Sequence, residues 1–351
     1  MPSSRSTAHT VAPRDTDTAI RAGTAIPKER TLVNAGRSMM TGLALGDALG
    51  WPTEFKNMRD IRSLFGERGI QEPPDPAIIT DDTQMTIAVG RAIANHAHAD
   101  VAVLMERMAQ EFVEWGFSKD NNRAPGLSCM GGVRNLAKGI AWDSSGGLDS
   151  KGCGSAMRVA PIGFVYHDDL QRLRAVAIAS SLPTHRHPSA IASAVGAAYL
   201  VKLALDRVHP LEMPARLASF VEGMSSQFDA TLAKMNSVLA MEDEVSAMNI
   251  IGAGWLGYEA VPLALYCVIK YPDSWVDTVR RGANFEGDSD SIASIAGGIQ
   301  ALRLGPDSIP TEWLARLERR EELEQLGAQL AAIKVSTEKK ADGAPELPPT
   351  S

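Results

Sequence analysis

The chain has 351 residues, 44% hydrophobic and 22% charged, enough to bury a substantial core as one large domain or two small ones. Its 35 Lys and Arg against 42 Asp and Glu leave a net charge of −7, which argues against a nucleic-acid partner, because phosphate neutralisation needs a basic face. Three cysteines, Cys129, Cys153 and Cys267, form no CxxC pair, so the pattern argues against a disulfide framework and a cysteine-type zinc site and favours a reducing, cytoplasmic compartment.

The N-terminal segment, from Met1 to about Lys28, is rich in Ser, Thr, Ala and Arg and has no hydrophobic stretch of the secretory type. Its composition suits a disordered leader or an arm that orders on a partner. Small residues then cluster at Gly42, Ala44, Gly46, Ala48 and Gly50, where backbones can approach closely. Asp47 lies among them as a cap or an internal partner, and Glu54 follows on a loop after Trp51-Pro52.

Met85, Ala88, Val89, Ala92 and Ile93 fall at helical spacing, as do Val101, Leu104, Met105, Met108 and Phe112. Gly152-Cys153-Gly154-Ser155-Ala156-Met157-Arg158 reads as a turn or as a loop whose backbone N–H groups cradle a diphosphate. Thr184-His185-Arg186-His187-Pro188 opens a stretch, Ser189 to Leu205, that is apolar nearly all round and predicts a buried central helix; Val261 to Ile269 is similar. Ile292, Ile295, Ala296, Ile299 and Leu302 repeat the helical pattern, and a loose tail starts near Thr337. No apolar run reaches the usual membrane-spanning length, so no membrane partner is expected. The body reads as one all-α domain with long functional loops.

Two acidic clusters precede predicted helices: Thr80-Asp81-Asp82-Thr83 before a helix from about Gln84, and Asp288-Ser289-Asp290-Ser291 before one from about Ile292. Capping needs one such residue per helix. Two carboxylates with flanking hydroxyls at each of two helices suit hard divalent cations, and the absence of Cys and His from both clusters disfavours zinc, copper and nickel. Helix N-termini favour ionised carboxylates, so these groups are expected to be charged at neutral pH.

Gly46-Asp47-Ala48-Leu49-Gly50 with Glu54, Thr80-Asp81-Asp82-Thr83-Gln84-Met85, Gly152 to Arg158, Thr184 to Pro188, and Asn284-Phe285-Glu286-Gly287-Asp288-Ser289-Asp290-Ser291 occur in this order over most of the chain, with Gly252-Ala253-Gly254-Trp255 and Glu259-Ala260 between the last two. The set resembles the ADP-ribosylglycohydrolase family, of the dinitrogenase-reductase-activating glycohydrolase type. The resemblance implies a compact all-helical domain (residues 31–334) between an N-terminal arm (1–30) and a flexible tail (335–351), with two Mg²⁺ (or Mn²⁺) ions in a cleft. The implied metal ligands are Thr80, Asp81, Asp82, Asp288, Asp290 and Ser291, the last standing where relatives often have Thr. The implied catalytic groups are Glu54, Asp82, Asp288 and Asp290. Those implied for substrate are Gly131, Gly132, Gly152, Cys153, Gly154, Ser155, Met157 and His185, with Cys153 where many relatives have Asn.

The implied reaction is hydrolysis of the N-glycosidic bond joining ADP-ribose to a protein side chain, most often arginine. The resemblance extends to immunity hydrolases against ADP-ribosylating toxins, some of which occlude the toxin with an N-terminal extension. Two rivals follow: a binding protein that blocks a transferase toxin through its arm, and a hydrolase of a small conjugate such as O-acetyl-ADP-ribose. A pure binder has no need of four metal-site aspartates.

Overall fold

Glycines four residues apart along one helix face set the architecture. A Cβ at Gly42 would lie 2.9 Å from the Gly297 carbonyl oxygen, at Gly46 2.1 Å from that of Ala293, and at Gly50 2.5 Å from the Asp290 Cα. No side chain fits there, so the two helices meet backbone to backbone and run antiparallel. The computed structural model describes residues 28–333, and among these the regular elements are helices joined by loops, with isolated bridges and no strand.

The helices that frame the site are α1 (Lys28–Gly50), α2 (Asp81–His96), α3 (Val101–Gly116), α4 (Leu127–Ala137), α5 (Ala160–Val165), α6 (Leu170–Ser181), α7 (Pro188–Leu205), α8 (Gly257–Lys270), α9 (Trp275–Ala283), α10 (Ser289–Leu304) and α11 (Arg320–Ala331). The α1–α10 seam is the most extensive contact between elements, and α11 closes over α1. Trp275 of α9 is buried against the seam and donates its indole N–H to the Gly297 carbonyl at 2.9 Å. The all-α expectation holds. The arm up to residue 27 and the tail from residue 334, with the partner-binding role expected of the arm, lie outside the described residues, and α1 starts at Lys28.

Two expectations change. Helix α7, of 18 residues, is long and apolar enough to meet the bare criteria for a membrane span. It is packed against α5, α6, α8 and α10, so its apolarity serves the core. Helices α2 and α10 begin at Asp81 and Ser289, each three residues earlier than expected. The polar clusters therefore form the first helical turn, where free N–H groups and the dipole favour them.

Candidate active site

Asp47 fastens the first cluster. Fully buried in α1, its carboxylate accepts from the Thr80 N–H (2.9 Å), the Thr80 hydroxyl (2.8 Å), the Thr83 N–H (3.3 Å) and the Thr83 hydroxyl. Burial pushes its pKa up to about 6 against the pull of these donors. Thr80 also caps α2, its hydroxyl accepting from the Asp82 N–H at 3.3 Å. With that task filled, Asp81 and Asp82 are surplus to capping. Asp81 accepts the Gly126 N–H at 3.2 Å, while Asp82 Oδ1 is buried with no hydrogen-bond partner.

The second cluster repeats the surplus. Asp288 occupies the N-cap position of α10 but makes no side-chain cap bond. Its N–H donates to the Ala253 carbonyl at 3.0 Å, and its Oδ2 accepts the Cys153 thiol at 2.8 Å. Asp290 Oδ1 accepts the Ser291 N–H at 2.9 Å. Ser289 turns the other way and donates to the Gly50 carbonyl at 2.9 Å, tying the turn to α1. Carboxylate oxygens of Glu54, Asp288 and Asp290 lie within 4.8 Å of one another, a spacing that suits a shared cation.

The clusters open into one cavity of about 400 Å³, a size that suits a small organic ligand. Among the described residues no Lys or Arg lines it. Burial pushes the Glu54 carboxyl up to about 8, helped by the charge of Asp288, and the Asp81 carboxyl up to about 7. Burial and the neighbouring aspartates raise Asp82 and Asp290 well above the usual range, and burial raises Asp288. Burial among like charges thus opposes the ionisation that the helix dipole favours. A divalent cation reverses that balance, and the unpartnered Asp82 Oδ1 with the close carboxylate trio supplies the oxygen donors it requires. The residues present therefore fit such an ion.

The glycine-rich loop forms the opposite wall. A Cβ at Gly154 would lie 2.6 Å from Cys129 Sγ and 2.9 Å from His185 Cε1, so these side chains press directly on its backbone. The N–H groups of Cys153, Ala156 and Met157 already donate to the carbonyls of Trp255, Cys153 and Cys153, which narrows the donors left for a phosphate. His185 is buried, and burial and the Arg158 charge hold its pKa down to about 3, so it is neutral. The Thr184 hydroxyl accepts from Arg158 Nη2 at 2.8 Å and lies 2.8 Å from His185 Nδ1. That network assigns the imidazole proton to Nε2.

Glu54, Asp81, Asp82, Gly152, Cys153, Gly154, Met157, His185, Asp288, Asp290 and Ser291 all line the cavity. Thr80, Ser155, Gly131 and Gly132 do not. Thr80 serves Asp47 and the cap, Ser155 donates to the Ala190 carbonyl at 3.3 Å, and a Cβ at Gly132 would lie 2.1 Å from the Pro183 carbonyl oxygen. Gly131 lies in the middle of α4. Sequence reasoning missed Phe55, Gly126, Leu127 and Cys129 as lining residues, and quoted Trp255 without a role. For Phe55 the signal was its place beside Glu54; for the 126–129 stretch there was none.

A model of the ADP-ribosylglycohydrolase family matches residues 28–340. An uncharacterized protein of Archaeoglobus fulgidus is 32% identical over 84% of this chain and 95% of that protein. ADP-ribosylarginine hydrolase Tri1 of Serratia proteamaculans is 23% identical over 87% of this chain and 81% of its own. Among solved structures, one titled ADP-ribosylglycohydrolase-related protein complex shares the fold with a TM-score of 0.65, at 24% identity over 87% of this chain and 98% of that one. With its acidic cavity built on the fold of those relatives, the chain belongs to the ADP-ribosylglycohydrolase family.

Proposed function

We propose that the chain hydrolyses the N-glycosidic bond between ADP-ribose and an arginine side chain of a modified protein, with two Mg²⁺ or Mn²⁺ ions as cofactors. The observation that carries this reading is the convergence of Glu54, Asp81, Asp82, Asp288 and Asp290 in one cavity that, among the described residues, no Lys or Arg lines. Asp81, Asp82, Asp288, Asp290 and Ser291 would hold the ions; Thr80, occupied by Asp47 and the Asp82 N–H, would contribute chiefly by fixing the turn. Bound divalent cations supply Lewis-acid grip on sugar hydroxyls and acidify a water.

The chain's own groups do the rest. Cleavage builds positive charge on the anomeric carbon and ring oxygen, and a floor of carboxylates stabilises it. Guanidine leaves poorly unless it carries its proton. Glu54, half-buried on the cavity wall and outside the proposed ligand set, is the carboxyl placed to deliver a proton to that nitrogen. His185, neutral with its proton on Nε2, offers a donor from the glycine-loop wall to a polar group of the ADP-ribose.

The test uses the full chain with Mg²⁺ or Mn²⁺ and three substrates: proteins ADP-ribosylated on arginine, proteins ADP-ribosylated on serine, and O-acetyl-ADP-ribose. Released ADP-ribose is followed by chromatography. Release from the arginine conjugate, stopped by chelator and cut about 100-fold or more in Asp290→Ala, is expected, since losing even a ligand's supporting partner typically costs 10–100-fold. Release from serine conjugates alone would overturn the linkage, and no release from any substrate would overturn the hydrolase reading.

A further inference from the structure

Two of the largest exposed apolar side chains stand together at the mouth of the cavity. Phe55 is 64% exposed and Trp255 40%, both line the cavity, and their rings stack at 4.9 Å between centroids and 20° between planes. Large aromatic rings left in water at a site entrance ordinarily have a ligand to cover them. Their separation leaves no space for a planar group between them, so a ligand meets an outer ring face.

The backbone that carries both rings is tied to the segments that carry the acidic floor. Phe55 follows Glu54 directly, and its N–H donates to the carbonyl of Gly287, next to Asp288, at 3.1 Å. Its φ is +60°, a left-handed conformation that a bulky residue keeps only when its surroundings impose it. The Trp255 carbonyl accepts the Cys153 N–H at 3.1 Å, and the Ala253 carbonyl accepts the Asp288 N–H at 3.0 Å. Glu259 clamps the same loop from behind, its Oε2 accepting the N–H groups of Ala253 (3.1 Å) and Gly254 (3.2 Å). The stack is thus held in register with Glu54, Cys153 and Asp288.

We propose that the Phe55–Trp255 stack is the leaving-group platform, taking the flat guanidinium of an arginine side chain on an exposed ring face and so selecting the arginine linkage. The inference rests on the hydrolase reading above and adds its specificity element. A guanidinium is planar, permanently charged and weakly hydrated, and it stacks on aromatic faces, the indole above all. A cation at the rim is also drawn by the carboxylates beneath. A serine hydroxyl has neither the plane nor the positive charge, and an acetate leaving group, though flat, carries no positive charge, so the same rings give neither a cation–π contact.

The experiment has two arms. In the first, kcat and KM are measured for the wild type, Trp255→Leu, Trp255→Phe and Phe55→Leu on ADP-ribosyl-arginine and on O-acetyl-ADP-ribose, which share the ADP-ribose and differ in the leaving group. Trp255→Leu should lower the ratio of kcat/KM for arginine over acetyl by about tenfold, mainly through KM, as expected for a lost cation–π contact. Trp255→Phe should restore most of the ratio. In the second arm, saturation-transfer NMR follows the guanidinium end of agmatine on the Mg²⁺-loaded protein. Its signal should be present with the wild type and lost in Trp255→Leu. Equal loss on both substrates would assign the rings to the ADP-ribose or to folding and overturn the inference, as would agmatine binding untouched by Trp255→Leu and Phe55→Leu. A wild type that hydrolyses neither substrate would overturn the arginine-hydrolase reading above, and the agmatine arm would still judge the rings.

Discussion

Cys153 places a thiol against a carboxylate, its Sγ 2.8 Å from Asp288 Oδ2 and 3.5 Å from the Ser291 hydroxyl. As a donor it orients the Asp288 carboxylate, which on the proposed reading is a cation ligand. Cys153→Ser keeps a donor and should hold Mg²⁺ affinity within a few-fold of the wild type. Cys153→Ala frees the carboxylate and should weaken binding about 10–100-fold in calorimetry. Equal affinities in the two variants would show that the thiol does not orient Asp288. At this scale the candidate ligands were legible as residue types, because two carboxylates with hydroxyls exceed what a cap needs. Their titration was not: the shifts of Asp82 and Asp290 arise first from burial, and in part from carboxylates on other segments, Asp47 and Asp288 for Asp82 and Asp82, Glu54 and Asp47 for Asp290, which no local window contains. That Ser155 and Gly132 lie off the cavity lining was illegible for the same reason, since their neighbours Ala190 and Pro183 come from other segments.

Helices announce themselves through apolar spacing, and the windows at 85–93, 101–112, 261–269 and 292–302 all lie within α2, α3, α8 and α10. Their starts were less legible, because Asp81 and Asp290 hold first-turn positions that look like loop in the sequence. The α1–α10 seam was foreshadowed by the small residues of α1, but not its partner. Gly46 gives the sharpest test of that seam. A methyl there would sit 2.1 Å from the Ala293 carbonyl oxygen, and backbone has no rotamer by which to yield. Gly46→Ala should therefore cost about 1–3 kcal/mol in urea unfolding. It should also lower activity, because Ala293 lies one turn from Asp290. Unchanged stability and turnover would mean that the helices part without cost.

For the whole molecule the buried carboxylates make stability depend on pH and on cations together. The folded pKa values of Asp47 (about 6), Asp81 (about 7) and Glu54 (about 8) lie above their ordinary values. Each such group adds stability below its unfolded pKa, and that contribution is lost as pH rises through the folded one. In chelator, the melting temperature should fall between pH 6 and 8. Mg²⁺ at 100 times its dissociation constant should restore about 2.7 kcal/mol and flatten the slope, since it binds the ionised form. A metal-free melting temperature that climbs over this range would contradict the arrangement. The seam has a further consequence, in time instead of energy. Ser289 and its bond to the Gly50 carbonyl are separated by 239 residues. At roughly 5–20 residues per second, a ribosome that has finished α1 needs on the order of tens of seconds to deliver α10. Throughout that interval the glycine face of α1 has no partner and Asp81 and Asp82 have no opposing cluster. The nascent chain thus acquires its catalytic capacity in one late step, and a product truncated before α10 should be inert and a target for chaperones.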